Sequence, residues 1–265
     1  MKLSIITVNY NNRDGLNKTI RSVRNQKFKD FELIIIDGAS TDGSVELIRN
    51  YSEIISYFVS EPDNGLYEAM NKAIKVSKGD YCLFLNSGDY LVSKNVLSKV
   101  LDSKSSGADL MIGKQLFIDS RGKKSKGPKI RKTDLNISYF FSSTIPHQAT
   151  FIKRKLFDAV GLYNESYKVV ADWIFWFEAI VIHKCSVEIL NVPVSYMESG
   201  GISANMDNCT NEMSTYFMER YPNPGYAEWN LFLNLGRKAI IQERCNQHKL
   251  SSFLVKIAYY IAIRI

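Results

Sequence analysis

The first hundred residues alternate between short apolar runs and amphipathic segments, and this alternation strongly limits the folds open to the chain. Apolar runs of strand length occur at Leu3–Val8, Phe31–Ile36, Tyr57–Val59 and Tyr81–Leu85. Between these runs, apolar residues recur every three or four positions, which is the spacing of one helix face. The order of strands and helices predicts an α/β fold with a mostly parallel central sheet flanked by helices.

Polar residues at the ends of these segments predict where helices begin. Asp14 is expected to be the N-cap of the first helix, and Ser40 or Asp42 that of the second. Further along, the basic segment Arg121–Lys132 contains glycine and proline and predicts a solvated loop.

Composition limits the chain to a few classes of protein. A chain of 265 residues with 45% hydrophobic residues has room for one sizeable domain, or for one domain and a small appendage, which excludes a disordered protein. The formal net charge of +7 favours anionic partners without selecting one. The four cysteines form no CxxC pair, and Cys82 lies in an apolar run, so we expect a reduced core thiol.

Two acidic residues stand directly after predicted strands. Asp37 follows the second strand, and Asp89 closes the turn Asn86–Asp89 after the fourth. In open α/β sheets, ligands bind beyond the carboxyl ends of the strands. A carboxylate in that position can accept hydrogen bonds from a nucleobase N–H group or a ribose hydroxyl. Position therefore makes these two residues candidates for a ligand site.

Four segments carry a resemblance to a known family. They are Ile5–Asn11, Ile34–Ser44, Glu61–Lys72 and Gly79–Asp89. Together they resemble the opening of family 2 glycosyltransferases, and they are most similar to the subgroup that builds bacterial surface polysaccharides. The resemblance implies a GT-A fold, with a catalytic domain over residues 1–205 and a helical C-terminal extension over 206–265. Residues 1–100 would be the nucleotide-sugar half and 101–205 the acceptor half.

The resemblance also implies a set of substrate-binding residues. Thr7, Asn9, Asp37 and Asp63 would frame the nucleotide, with Asp37 reading the base. The further substrate-binding candidates are Asn71, Asn86, His147 and Ser203. His147 could equally be a structural histidine. The Gly-Gly pair before Ser203 could equally form a plain turn.

The turn Asn86–Asp89 stands where the family has an Asp-x-Asp element that binds Mg²⁺ or Mn²⁺. Such a cation neutralises the charge that the leaving nucleoside diphosphate gains. Here Asn86 and Gly88 replace the two aspartates, so Asp89 is the candidate metal ligand. A β-turn at the end of a strand is the alternative interpretation of the same residues.

One carboxylate is needed as the catalytic base of an inverting transfer, because a single group removes the proton of the attacking hydroxyl. In similar enzymes an acidic residue at the start of an aromatic-rich helix has this role. The resemblance therefore implies that Asp172, which precedes Trp173–Phe177, is the base. Glu165 and Glu178 are nearby rivals. The alternative role of Asp172 is that of a helix N-cap.

The C-terminal segment Ser251–Ile265 predicts an amphipathic helix that is too short to span a bilayer. Basic residues precede it, which suits peripheral contact with an anionic membrane surface, while packing on the catalytic domain explains the apolar stripe equally well. Since the N-terminus lacks the apolar core of a signal peptide, we expect a cytoplasmic protein that can lie on the inner face of the membrane.

The sequence thus predicts an inverting glycosyltransferase that moves a hexose from a nucleoside diphosphate sugar, with UDP-sugar favoured, to a saccharide or lipid-linked acceptor. Nucleic acid is not an expected partner. One alternative is a nucleotide-sugar-binding protein with little or no catalysis. Another is a nucleotidyltransferase, although Asn9–Arg13 is a poor match to the glycine-rich phosphate loop that class would carry.

Overall fold

The structure is a computed structural model that describes residues 2–101, 107–119, 121–140, 143–198 and 206–220. The chain divides into two compact units, Met1–Met206 and Asp207–Ile265. Ser203 and the predicted C-terminal helix Ser251–Ile265 lie outside the described residues. None of the described helices has the length and apolar character that a membrane-spanning helix needs.

Strands and helices alternate through the first unit. The described strands are β1 Leu3–Asn9, β2 Phe31–Asp37, β3 Tyr57–Ser60, β4 Tyr81–Phe84, β5 Tyr90–Leu91, β6 Leu110–Ile118, β7 Lys124–Lys126, β8 Thr150–Lys153 and β9 Val187–Glu198. The described α-helices are α1 Arg13–Arg24, α2 Ser44–Arg49, α3 Leu66–Val76, α4 Val96–Leu101, α5 Ile137–Phe140, α6 Leu156–Val160, α7 Ala171–Phe177 and α8 Met206–Arg220. A 3₁₀ turn at His147–Ala149 leads into β8.

The nine described strands form one sheet in the order β3-β2-β1-β4-β8-β6-β9-β5, with β7 paired to β6. Strands β1 to β4 are parallel to one another, as the βαβ pattern predicts. Beyond β4 the sheet becomes mixed. Strand β8 is antiparallel to β4 and β6, β5 is antiparallel to β9, and β6 is parallel to β9. The predicted parallel sheet is therefore the N-terminal half of a larger mixed sheet.

The core lies on both faces of the parallel half. Strands β1 and β4 are buried along their whole length, which explains why their sequences are nearly continuous apolar runs. Helix α1 packs on the sheet with Leu16, Ile20 and Val23, all fully buried, as their spacing predicts. Cys82 is also fully buried, and burial raises the pKa of its thiol to about 12.

The predicted helix caps are wrong in both cases. Asn12 caps α1, because its Oδ1 accepts a hydrogen bond from the Gly15 N–H, and Asp14 falls inside the first turn. Helix α2 begins after Gly43, whose φ of +88° places it in the left-handed region. Asp42 still contacts that helix, since its Oδ1 accepts hydrogen bonds from the backbone and the hydroxyl of Ser44.

The basic segment Arg121–Lys132 is only partly the predicted loop. Its residues Lys124–Lys126 form β7, which pairs antiparallel with the end of β6. The sequence hides this strand because its side chains are all exposed and polar, so no apolar alternation marks it.

The opposite, amino end of the parallel strands depends on a close backbone approach at Gly79. The buried Glu32 carboxylate accepts hydrogen bonds from Ser4 Oγ, Lys78 N–H and Gly79 N–H, which ties β1, β2 and the start of β4 together. A Cβ atom at Gly79 would lie 2.4 Å from Ser4 N and 2.6 Å from Leu3 C. Both are backbone atoms of a buried strand, so neither can move aside easily.

We predict that Gly79→Ala lowers the free energy of unfolding by about 3 kcal/mol, the upper part of the range for overpacked sites. Gly122→Ala is the matched control, since its added methyl meets nothing within 4 Å and only its φ of +78° opposes the change, at a cost of about 1 kcal/mol. Urea unfolding followed by circular dichroism measures both. Equal midpoints for the two variants would contradict the assigned backbone clash.

Candidate active site

The parallel register of β1, β2 and β3 brings three polar side chains together at the carboxyl edge of the sheet. Asn9 pairs with Asp37, and Asp37 pairs with Ser60. The Asp37 carboxylate is fully buried, and its Oδ1 accepts hydrogen bonds from Asn9 Nδ2 at 2.7 Å and Ser40 Oγ at 2.6 Å. Its Oδ2 accepts from Ser60 Oγ at 2.6 Å and from the Ser40 N–H at 2.9 Å.

These four hydrogen bonds show what Asp37 does in the protein itself. Each carboxylate oxygen has two donors, so Asp37 joins the ends of β1, β2 and β3 and holds the turn that follows β2. That turn includes Ala39, a residue with a φ of +59°. Asp37 thus organises this edge of the sheet, whatever it also contacts in a bound ligand.

Three buried polar atoms near the same edge have no hydrogen-bond partner among the described residues. They are Thr7 Oγ1, Asn9 Oδ1 and Asn86 Oδ1. Buried polar atoms in folded proteins almost always have partners, so an orphaned atom needs an explanation. All three belong to residues that the sequence selects as substrate-binding candidates.

Two further residues lie around the turn after β2. Asp63 Oδ1 accepts a hydrogen bond from the Gly65 N–H at 2.9 Å, and its Oδ2 would lie 2.9 Å from a Cβ added at Gly38. The Tyr10 ring also borders Gly38, with Cδ2 3.2 Å from the same added Cβ. Tyr10 is 69% exposed, which is unusual for a large aromatic side chain, and the sequence analysis does not select it.

A second group of candidates forms a continuous chain of contacts. Asn86 Nδ2 lies 3.3 Å from His147 Nε2, and His147 Nδ1 lies 3.2 Å from Asp172 Oδ2. An ionised carboxylate only accepts hydrogen bonds, so a proton on Nδ1 would make His147 the donor to Asp172 and leave Nε2 as the acceptor for Asn86. The side chains of His147 and Asp172 are 15% and 17% exposed, so a substrate group can reach them.

The two groups meet at the ends of β1 and β4. The Ser87 N–H donates to the carbonyl of Val8 at 3.0 Å, and Asn12 Nδ2 donates to the carbonyl of Ser87 at 3.0 Å. Asn9 follows Val8, and Asn86 precedes Ser87. The carboxyl edge around Asp37 and the chain from Asn86 to Asp172 therefore border one another in the first unit.

Tyr67 is a member of this site that sequence reasoning misses. Its hydroxyl lies 2.9 Å from Asp172 Oδ1 and 2.8 Å from the carbonyl of Val169. Burial and the charge of Asp172 raise the pKa of Tyr67 well above its ordinary value, so the hydroxyl remains a donor. Tyr67 falls on the apolar face of α3, so periodicity assigns it to the core. The available signal is that a buried tyrosine hydroxyl needs a partner.

Asp172 is not the N-cap of α7. The cap position is Val170, and Asp172 lies in the first turn, where its Oδ1 accepts from the Trp173 N–H at 2.8 Å. Glu165, one of its rivals, accepts a hydrogen bond from Asn71 at 2.8 Å.

Asn71 differs from the other candidates because its amide is occupied by the protein. Its Nδ2 donates to the carbonyl of Tyr163 and to Glu165, and its Oδ1 accepts from the Tyr163 N–H. These contacts attach α3 to the segment before α7. These hydrogen bonds indicate that Asn71 holds in place the segment that leads to Asp172.

The sequences and structures of known proteins give the family. The profile of glycosyl transferase family 2 matches residues 4–161, more than half of the chain. The chain belongs to this family. The matched region includes the carboxyl edge around Asp37 together with Asn86 and His147, and it ends before Asp172.

Among relatives of this family 2 chain are two mycobacterial proteins. An uncharacterized glycosyltransferase of Mycobacterium tuberculosis is 28% identical over 218 residues, which cover 77% of this chain and 78% of the relative. A PGL/p-HBAD biosynthesis glycosyltransferase of the same species is 31% identical over 206 residues, 76% of this chain and 78% of the relative. A poly(ribitol-phosphate) beta-glucosyltransferase of Bacillus spizizenii is 33% identical over 128 residues, 46% of this chain and 20% of the relative.

Solved structures share the fold. Residues 1–349 of S. aureus TarS superpose with a TM-score of 0.64 at 16% identity, over 92% of this chain and 73% of that one. The mannosyltransferase PcManGT from Pyrobaculum calidifontis was solved with GDP-Man and Mn²⁺. It superposes with a TM-score of 0.63 at 16% identity, over 99% of this chain and 80% of that one. Both are glycosyltransferases, and the likeness establishes the predicted GT-A fold for this family 2 chain.

The predicted metal position around Asp89 has few candidate protein ligands among the described residues. Asp89 is buried in the turn after β4, and Asn86 contributes the orphaned Oδ1 described above. The described residues contain no group of three or more His, Cys, Asp or Glu that could hold a metal ion. Hard divalent cations accept amide and carboxylate oxygens, so the residue types of Asn86 and Asp89 are compatible with a cation that takes its other ligands from phosphate oxygens and water.

The orphaned Thr7 hydroxyl allows a test of the predicted nucleotide site. Replacing it in Thr7→Val removes a buried unpaired polar group, so we predict a free energy of unfolding about 1 kcal/mol higher. The same change is expected to weaken UDP binding about tenfold, because the partner that satisfies Thr7 would be the ligand. Thermal unfolding and calorimetric titration with UDP measure the two quantities.

Ser195→Ala is the matched control, since Ser195 Oγ is another fully buried orphan but lies on β9. It should gain stability similarly and bind UDP as the wild type does. Unchanged UDP affinity in Thr7→Val would remove Thr7 from the nucleotide site.

Proposed function

We propose that this chain is an inverting glycosyltransferase that transfers a hexose from a nucleoside diphosphate sugar, with UDP-sugar favoured, to a saccharide or lipid-linked acceptor in bacterial surface polysaccharide synthesis. The observation that carries the proposal is the chain of contacts from Asn86 through His147 to a partly exposed Asp172. Support for the pathway comes from relatives named for PGL biosynthesis and for poly(ribitol-phosphate) glucosylation. The UDP-GlcNAc bound by TarS supports the donor class.

The proposed reaction is a single displacement. The acceptor hydroxyl gives its proton to the Asp172 carboxylate as its oxygen bonds to the anomeric carbon of the donor sugar. The bond between that carbon and the diphosphate oxygen breaks, and its electron pair leaves with the nucleoside diphosphate. One carboxylate is sufficient for this step, since attack and departure occur on opposite faces of the sugar.

The protein holds Asp172 in place for this role. Oδ1 is fixed by Tyr67 and by the Trp173 N–H, and Oδ2 by His147 Nδ1. An acceptor hydroxyl can approach the carboxylate only from its exposed side. Fixing the base in this way means that little reorganisation is needed when the proton moves.

The donor would lie along the carboxyl edge of the parallel strands. The residues proposed to contact the nucleotide are Thr7, Asn9 and Asp63. The turn after β2, which Asp37 holds, would lie beneath the nucleotide. The exposed ring of Tyr10 offers a surface on which the base can stack.

Asn86 and Asp89 are proposed to hold Mg²⁺ or Mn²⁺ beside the donor diphosphate, and Mn²⁺ is present in the related PcManGT structure. When bound, such a cation neutralises the charge of the departing diphosphate. Ser203 remains a proposed phosphate contact outside the described residues. Asn71 is proposed to position the chain before Asp172 rather than to touch substrate.

A protein that binds the nucleotide sugar without catalysis is a second candidate. The replacement of the family's Asp-x-Asp element by Asn86-Ser87-Gly88-Asp89 favours it, because a family member with a weakened cation site would keep donor binding and lose turnover. Acceptor-stimulated release of nucleotide separates the two candidates.

We predict that Asp172→Asn lowers acceptor-stimulated nucleotide release about 10²- to 10⁴-fold, the range for loss of a general base. The assay uses UDP-, GDP- and dTDP-sugars with saccharide and lipid-linked acceptors, in Mn²⁺ and in EDTA. Donor affinity should remain, and EDTA should reduce release if Asn86 and Asp89 hold a cation. Asp158→Asn, an exposed aspartate on α6, is the control and should be fully active. Full activity in Asp172→Asn would remove the base assignment.

We also predict that Tyr67→Phe lowers kcat about tenfold and leaves the donor KM unchanged, because the variant loses the donor that orients Asp172. Tyr81→Phe is the matched control, since Tyr81 is also buried and its hydroxyl donates to the carbonyl of Ala108 at 2.9 Å. Both variants should lose similar stability by thermal unfolding. Equal kcat in the two variants would mean that Tyr67 has only a structural role.

A further inference from the structure

Most of the net positive charge of the chain lies in one short segment. Residues 114–134, here called the basic arm, contain eight Lys or Arg and two Asp, a net charge of +6. The whole chain carries 34 Lys or Arg against 27 Asp or Glu, which is +7, so the remaining residues are nearly neutral. An excess this concentrated is a local feature of the surface and not a general property of the protein.

The cations of the basic arm are exposed and largely uncompensated. Arg121 pairs with Asp119 at 3.4 Å, and Lys114 contacts the neutral Asn191 side chain. Within the described part of the chain, the other six cations form no ion pair. They are Lys123, Lys124, Lys126, Lys129, Arg131 and Lys132. Lys123, Lys124 and Lys126 belong to the hairpin of β6 and β7, and the other three cations follow within six residues of its end. Six like charges in so short a segment repel each other, so an anionic partner would relieve that repulsion.

The basic arm is connected to the acceptor side of the proposed site. Lys124 Nζ lies 4.7 Å from the centre of the Tyr196 ring, which holds this lysine against β9. The next residue, Met197, contacts both Gln115 and Gln148 through its sulfur. Gln148 directly follows His147. Only a few packed side chains therefore separate the arm from the base and its histidine.

The chemistry of the basic arm favours a phosphate-bearing glycan over a lipid surface. Interfacial membrane binding gains strength from apolar side chains that enter the bilayer as well as from cations. The large hydrophobic residues that are exposed in the described structure include none between residues 114 and 134. Lys124 and Lys126 instead lie two positions apart on one strand, on the same side of the hairpin.

We propose that the basic arm binds the phosphate groups of a phosphodiester-containing acceptor glycan and so leads its sugar hydroxyls to Asp172. This inference rests on the proposed glycosyltransferase function and deepens it by naming the acceptor class. Several weak phosphate contacts would hold a long acceptor while leaving it free to advance between transfers. Binding of this kind depends strongly on salt, since each contact releases counterions.

The test measures binding of fluorescein-labelled poly(glycerol phosphate) to the full chain by fluorescence anisotropy, over a series of salt concentrations. The variant Lys126→Gln, Lys129→Gln, Arg131→Gln leaves the Lys124–Tyr196 contact intact. We expect it to bind the polymer about a hundredfold more weakly, roughly fivefold for each cation removed. The slope of log affinity against log salt should fall by about three.

The matched control is Lys27→Gln, Lys75→Gln, Lys78→Gln, which removes three exposed lysines outside the arm. It should bind within about twofold of the wild type. Equal losses in the two triple variants would overturn the proposal, as would equal wild-type affinity for polyglutamate, because charge alone would then explain binding. Tighter binding to vesicles with 30% phosphatidylglycerol than to the polymer would overturn it in favour of a membrane surface.

Asp172→Asn separates this proposal from the proposed function. The variant should bind poly(glycerol phosphate) as the wild type does, because the base makes no contact with the polymer phosphates. If the protein shows no transfer but binds the polymer through the arm, the basic arm is supported as an anion site. That result would contradict only the glycosyltransferase proposal.

Discussion

The register between β1, β2 and β4 is the constraint on which the rest of the site depends. Parallel pairing aligns the carboxyl ends of these strands, so Asn9, Asp37 and the residues after Phe84 meet at one edge. Asp37 then joins three strands through four hydrogen bonds, in a fully buried position where each lost bond is costly. A shift of one residue in β2 would turn its side chains to the opposite face of the sheet, and Asp37 would then lose these hydrogen bonds.

From this edge, the site extends into the mixed half of the sheet. Asn86, which follows β4, contacts His147, which precedes β8, and His147 contacts Asp172 at the start of α7. The antiparallel pairing of β8 with β4 brings these two parts of the chain together. The proposed base therefore belongs to the C-terminal half of the first unit, while the residues that would hold the donor belong to the N-terminal half.

The sequence predicts the parallel half of the fold well, because β1, β2 and β4 are continuous apolar runs and α1 has a clear helical period. It fails for β7, whose exposed Lys-Ser-Lys has no apolar alternation, and for the cap of α1, where Asn12 and Asp14 are equally suitable by residue type. The mixed half of the sheet depends on long-range pairing, which local patterns do not encode.

The candidate site shows the same division. Residues at strand ends, such as Asp37, can be selected from position, and Asp172 from family resemblance. Tyr67 escapes selection because a tyrosine on the buried face of a helix looks like any other core residue until its hydroxyl partner is known. The occupied amide of Asn71 is likewise visible only when the segment that it binds has been placed in space.

The central claim is that a single carboxylate, Asp172, supports a one-step displacement. Proton NMR of the transferred sugar, recorded during turnover of an α-linked nucleotide sugar, tests it most directly. The account predicts that the anomeric proton of the first product formed has the β configuration. An α configuration in that product would contradict the account, because retention needs a second nucleophile or a different geometry at the anomeric carbon.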